Sequence, residues 1–102
     1  PGGNSIHIGV VQGIINLIDH GMTPTEAVYA PRIDCQWLDT VDVSSRFPSY
    51  LCDALSKKGH RVIKAPLDYI PFPLVQVISV NRETGRTSGA SDPRGGGVAL
   101  SE

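Results

Sequence analysis

Apolar residues recur every four positions at Ile6, Val10, Ile14 and Ile18, and Ile8, Val11, Ile15 and Leu17 widen that stripe over most of a helical circumference. The pattern predicts a helix from Ile6 to His20 that is buried on nearly every side. Gly9 and Gly13 stand four residues apart on it and predict close approach of another element, at a cost of about 1 kcal/mol each relative to Ala. Gly21 follows as a stop signal. Thr23-Pro24-Thr25-Glu26 then supplies Thr at the N-cap, Pro at the first helical position and Glu at the third, a capping box, and Pro31 ends this helix at Ala30. Partial alternation through Trp37, Thr40, Val41 and Val43 predicts extended structure between Ile33 and Val43, with Trp37 as a packing residue. Leu51, Ala54 and Leu55 mark a helix from Pro48 to Lys58, with Lys57 and Lys58 at its negative end and Gly59 as its stop. A short strand over Arg61 to Ala65 gives way to an irregular stretch containing Pro66, Pro71 and Pro73. Leu74 to Val80 is the strongest strand, and Asn81 to Gly85 turns it into Arg86 to Ala90 as a hairpin. Residues 95–102, opening with three glycines, are expected to form a mobile tail. With no repeat or linker, residues 1–102 read as a single α/β unit.

Composition adds mostly exclusions. The 102 residues, 40% hydrophobic and 19% charged, suit one globular domain, although a helix apolar all round suits a piece of a larger core equally well. A net charge of -1 argues against nucleic acid or an acidic membrane surface as a primary partner. Cys35 and Cys52 have neither a CxxC spacing nor a nearby His pair. They imply no metal site and read as buried free thiols, with a disulfide between them left open. No apolar run reaches the roughly 18 residues of a membrane span, and no secretory pattern opens the chain. The chain starts without Met and in mid-motif, as a fragment or processed product would.

Candidate chemistry is sparse. His7, His20 and His60 are scattered, and His20 and His60 suit exposed positions near helix C-termini. Asp19, Asp34, Asp39, Asp42 and Asp53 form no recognisable acid/base pair. Ser91-Asp92-Pro93-Arg94 can close an Asx turn and offers the guanidinium fork of Arg94, which reads as a structural clamp on the chain end. The opening Pro1-Gly2-Gly3-Asn4-Ser5 turn is the most suggestive feature. Asn4 or Ser5 can cap the following helix, and the Gly2 and Gly3 N–H groups can face an anionic oxygen, resting or developing during a reaction.

Several motifs agree in order and spacing with one family. Pro1-Gly2-Gly3 before Ile6 and a long apolar helix, Glu26-Ala27-Val28 with Ala30-Pro31-Arg32-Ile33, Gln36-Trp37-Leu38, and Gly89-Ala90-Ser91-Asp92-Pro93-Arg94 together resemble the C-terminal part of the small subunit of γ-glutamyltranspeptidases. The resemblance spans nearly the whole chain. It implies part of an N-terminal-nucleophile hydrolase, an αββα sandwich of helices on antiparallel strands, whose precursor cleaves itself to expose a Thr nucleophile. It implies no cofactor. The implied chemistry is γ-glutamyl transfer or hydrolysis, on glutathione and related amides, through a Thr acyl-enzyme. Gly2 and Gly3 match the backbone donors of the family's oxyanion hole. The nucleophile and the substrate-gripping residues lie upstream in the family, so this chain alone should be inactive. The implied partners are the rest of the small subunit, the large subunit of the same precursor and the γ-glutamyl substrate; members are often periplasmic, extracellular or on the cell surface. The family often carries His after Pro-Arg-Ile, where this chain has Asp34 and Cys35, a position read as structural. A related acylase, of cephalosporin type or acting on capsule polyglutamate, and a catalytically silent homologue are the alternatives.

Overall fold

The computed structural model describes residues 3–37, 39–67 and 72–100. The expectations for Pro1, Gly2, Leu38, Pro71 and the last two residues of the tail therefore lie outside the described residues. A 3₁₀ turn over Gly3–Ser5 leads into α1 (Ile6–Ile18), followed by α2 (Pro24–Tyr29), β1 (Ile33–Asp34), β2 (Thr40–Val43), α3 (Ser49–Lys57), β3 (Arg61–Lys64), β4 (Gln76–Val80) and β5 (Thr87–Ser91). Strands β1, β2 and β3 form one sheet in that order, β1 antiparallel and β3 parallel to β2. The antiparallel strands expected are present at β1–β2 and β4–β5, and the β2–β3 pair adds a parallel one. Its cause is α3, which serves as a crossover and returns the chain to the sheet in the same direction. β4 and β5 form the expected antiparallel hairpin, with Val77 opposite Ala90 and Ile78 opposite Gly89.

Local chemistry accounts for most boundaries. At α2 the Thr23 hydroxyl accepts from the Glu26 N–H while the Glu26 carboxylate accepts from the Thr23 N–H, so both halves of the capping box are made. Gly21 and Gly59 follow α1 and α3 with φ of +63° and +96°, as stop signals should. The expected extended run from Ile33 to Val43 is broken, because only two residues of β1 pair before the chain leaves the sheet and returns at Thr40.

Burial in α1 runs against the sequence reading. The four-residue stripe expected inside is exposed: Ile6, Val10 and Ile14 are each about half accessible and Ile18 is 75% accessible. What α1 buries is Gly9 and Gly13. A Cβ on Gly9 would lie 2.6 Å from Pro73 Cγ, and one on Gly13 would lie 3.3 Å from Val75 Cγ1, so the segment before β4 rests directly on the helix backbone. A second, polar seam runs along the helix at Ser5, Gln12 and Asn16. The Gln12 amide donates to the Ile33 carbonyl at 2.8 Å and accepts from the Ile33 N–H at 2.9 Å, behaving as a neighbouring strand would. Asn16 donates to the Ala27 carbonyl. Small and polar residues therefore dock α1 within this chain, and most of its large apolar side chains, Leu17 excepted, face outward. The buried apolar residues among those described are few, Ala27, Val28, Val43, Ala65, Phe72, Val75 and Val77, and of these Val28, Val75 and Val77 cluster, with Leu17 and Ala90 against them.

Two further expectations are corrected. Trp37 is 62% accessible and does not pack into this core. Cys35 is exposed and Cys52 half-buried, both as free thiols. Each follows from position, Cys35 and Trp37 lying in the connection where the chain has left the sheet and Cys52 on α3, which buries no residue fully.

Candidate active site

Gly3 has φ +53°, a left-handed conformation that costs other residues about 1–2 kcal/mol, and a Cβ there would meet nothing within 4 Å. Its requirement is thus for backbone shape rather than for space. Among the described residues the Gly3 N–H has no hydrogen-bond partner. It stands at the head of a continuous helical run into α1, where amide dipoles align to favour negative charge. Gly2, its expected companion, lies outside the described residues.

The turn is anchored from behind. Ser5 occupies the N-cap position of α1 but makes no capping bond. Its hydroxyl instead donates to Asp34 Oδ2 at 2.6 Å, and both residues are essentially fully buried. Asp34 Oδ1 accepts from the Gln36 N–H at 3.1 Å, which fixes the carboxylate plane. The Gln36 amide oxygen lies 3.3 Å from the same hydroxyl, whose single proton goes to the nearer carboxylate. Asp34 also stands opposite Asp42 in the β1–β2 register. Burial, and secondly the charge of Asp34, raise the Asp42 carboxyl above its ordinary value of 3.8.

A second buried cluster ties the hairpin to the rest. Asp92 Oδ2 accepts from Arg32 Nη1, from the Val75 N–H and from Arg94 Nη2, while Oδ1 accepts from the Arg94 N–H and Nε. Arg32, 1% accessible, also donates to the carbonyls of Pro73 and Val28. The expected Asx turn and clamp at Ser91-Asp92-Pro93-Arg94 are present, and the clamp reaches Arg32. Local sequence does not single out that arginine, because its neighbours Pro31 and Ile33 mark only a helix end and a strand start. A charged residue between them, at a point that must be buried, was the available signal. Ser5 was read as a possible cap and Asp34 as structural; that the two meet depends on β1 lying beside the start of α1, which spacing does not encode. His7, His20 and His60 are exposed, His7 in the first turn of α1.

With this geometry in place, the known proteins that resemble the chain can be compared. The γ-glutamyltranspeptidase family model matches residues 1–101. The chain belongs to the γ-glutamyltranspeptidase family. It is 38% identical over 96 residues to the glutathione hydrolase proenzyme of Escherichia coli K12, covering 92% of this chain and 16% of that protein. It is 37% identical over 68 residues to the acylase ACY 1 proenzyme of a Pseudomonas strain, SE83, covering 65% of this chain and 12% of that protein. Among solved structures, Helicobacter pylori γ-glutamyltranspeptidase superposes with a TM-score of 0.78 at 36% identity, over 93% of this chain and 51% of that one. A cephalosporin acylase from Bacillus halodurans gives 0.74 at 35% identity, over 84% of this chain and 16% of that one. The chain therefore spans a small part of its relatives' precursors and about half of some solved chains. Its mixed α/β structure agrees with the N-terminal-nucleophile hydrolase class that the sequence resemblance implies.

Proposed function

We propose that this chain is the C-terminal portion of the small subunit of an enzyme that transfers or hydrolyses γ-glutamyl groups, glutathione among its substrates. The carrying observation is the Gly3 turn: a left-handed glycine at the head of a helix, its N–H without a partner among the described residues and its conformation held from behind by buried side chains. In the proposed mechanism a Thr hydroxyl, supplied upstream of this chain, attacks the γ-carbonyl carbon. The carbonyl π electrons move to oxygen, and the N–H groups of Gly2 and Gly3 stabilise that oxyanion. The Thr hydroxyl proton passes to that residue's own α-amino group and from there to the amine expelled as the intermediate collapses, and water or an amino acid then resolves the acyl-enzyme. Fixed donors aimed at developing charge need no reorganisation during the step, and losing one typically lowers kcat by about 10²–10³. Alone, this chain holds no nucleophile of that kind and should be inactive.

The outward apolar face of α1 and the exposed Ile78 and Val80 of β4 support a place inside a larger assembly. A helix and a strand that keep large apolar residues on their outer faces suit a layered sandwich completed by the remaining small-subunit strands and the large subunit. An acylase acting on another acyl group is the second reading, favoured by the resemblance to acylases at comparable identity.

The test is release of a chromogenic amine from a γ-glutamyl anilide by the complete gene product, with and without a dipeptide acceptor. Release accelerated by the acceptor indicates transfer, and release indifferent to it indicates hydrolysis. A processed, folded protein that releases nothing from the anilide but cleaves a cephalosporin side chain would replace this reading with the acylase. The donor role has its own check. Gly3→Ala keeps the N–H and strains φ, whereas Gly3→Pro removes the N–H and forces φ near −65°. Turnover should fall far more in the proline variant, by at least 100-fold, and unchanged turnover there would remove Gly3 from the mechanism.

A further inference from the structure

The mechanism above uses the Gly3 N–H but says nothing of what aims it. Ser5, two residues on, has the side chain most suited to capping α1, yet its hydroxyl turns away from the helix and donates to Asp34. Asp34 is wholly buried, and a buried carboxylate is stable only where donors surround it. Among the described residues two donate to it: the Ser5 hydroxyl to Oδ2 and the Gln36 N–H to Oδ1. The carboxylate is also fixed at the backbone, because β1 is pinned on one side by β2 and on the other by the Gln12 amide. Hydrogen bonds to charged groups are among the stronger ones, so this link resists rotation of the turn.

We infer that Asp34 is a positioning residue for the oxyanion hole: through the Ser5 hydroxyl it locks the Gly3–Ser5 turn so that the Gly3 N–H points at the reacting carbonyl oxygen. The inference rests on the proposed role of Gly3. Asp34 touches no reacting atom. What it fixes is the direction of a donor. Asp42, facing Asp34 across the strand pair, is the neighbouring charge that opposes it. A misaimed donor loses stabilisation of the transition state while the remote contacts that grip the substrate stay in place. The signature is therefore a fall in kcat with little change in KM.

The experiment compares Ser5→Ala, Ser5→Thr, Asp34→Asn and Gly3→Pro in the complete, self-processed enzyme, with active sites counted by burst amplitude and folding checked by thermal melting. Ser5→Ala should lower kcat for γ-glutamyl anilide release by about 10–100-fold, with KM within about threefold of the native value. Ser5→Thr, which restores the hydroxyl, should recover most of that loss. Asp34→Asn keeps an acceptor oxygen but loses the charge and should fall between. A folded Ser5→Ala enzyme with native kcat, or one whose loss the threonine does not recover, overturns the inference. Should Ser5→Ala fail to fold, Asp34→Asn decides: native kcat overturns the inference, and a reduced kcat at constant KM upholds it. Slowed turnover in Gly3→Pro alongside native turnover in Ser5→Ala refutes the positioning role and leaves the oxyanion reading intact. Native turnover in Gly3→Pro refutes both.

Discussion

Asp92 ties distant parts of this structure together, because its two oxygens take five donated hydrogen bonds from Arg32, Arg94 and the Val75 N–H. Removing one partner of a buried ionic group typically costs about 3–5 kcal/mol, since the others are left uncompensated. Asp92→Ala should therefore destabilise the complete protein by that order, read as a lowered denaturation midpoint, and Arg32→Lys should not be neutral, because an ammonium lacks the planar fork that reaches Asp92, Pro73 and Val28 together. Asp42 behaves in the opposite sense. Its raised carboxyl means that the folded state holds the proton more tightly than the unfolded chain. Its ionisation therefore weakens the fold progressively as pH rises above 3.8, and no such penalty exists well below that value. Asp42→Asn should raise the midpoint at neutral pH, with the difference vanishing on acidification below about pH 4. The clamp at Asp92-Pro93-Arg94 was readable from the sequence, because an Asx turn is local. Its reach to Arg32 was not, because the partners are 60 residues apart.

Helix α1 shows why periodicity finds an element more readily than its orientation. Apolar side chains on most of a circumference establish the helix but leave open which part of it faces this chain. The glycines decided one seam and the amide side chains another, and the glycine seam was legible as a close approach while the polar seam was not. Gly9→Ala should be destabilising by about 1–3 kcal/mol, because its Cβ would meet the Pro73 ring at 2.6 Å. Gly13→Ala, whose nearest contact would be 3.3 Å, should be nearly neutral, the gain in helix propensity of about 1 kcal/mol offsetting a small shift of Val75. Comparing the two urea midpoints tests whether the chain approaches α1 chiefly at Gly9. The capping box at α2 was fully legible, since every atom in it lies within four residues, and Thr23→Ala should cost about 1 kcal/mol by the same measurement.

At the scale of the whole molecule, large apolar side chains stand outward on α1 and β4 while the buried apolar residues are mostly valines and alanines with Phe72. Produced alone, the 102 residues should bind a hydrophobic dye strongly and self-associate. Val10→Lys with Ile14→Lys should reduce both, because the two side chains share the exposed face. A folded chain that stayed monomeric and dark to the dye would count against a place inside a larger sandwich. The Arg32–Asp92 tie has a further consequence for synthesis. A ribosome that stops or shifts frame before Asp92 leaves Arg32 without its carboxylate in a site built to exclude water, and the loss is a large part of a typical domain's 5–15 kcal/mol of stability. The turn after β5 that carries Asp92 thus acts as a proofreading mark on the polypeptide: copies that lack it should fail to hold their fold and be cleared by proteases.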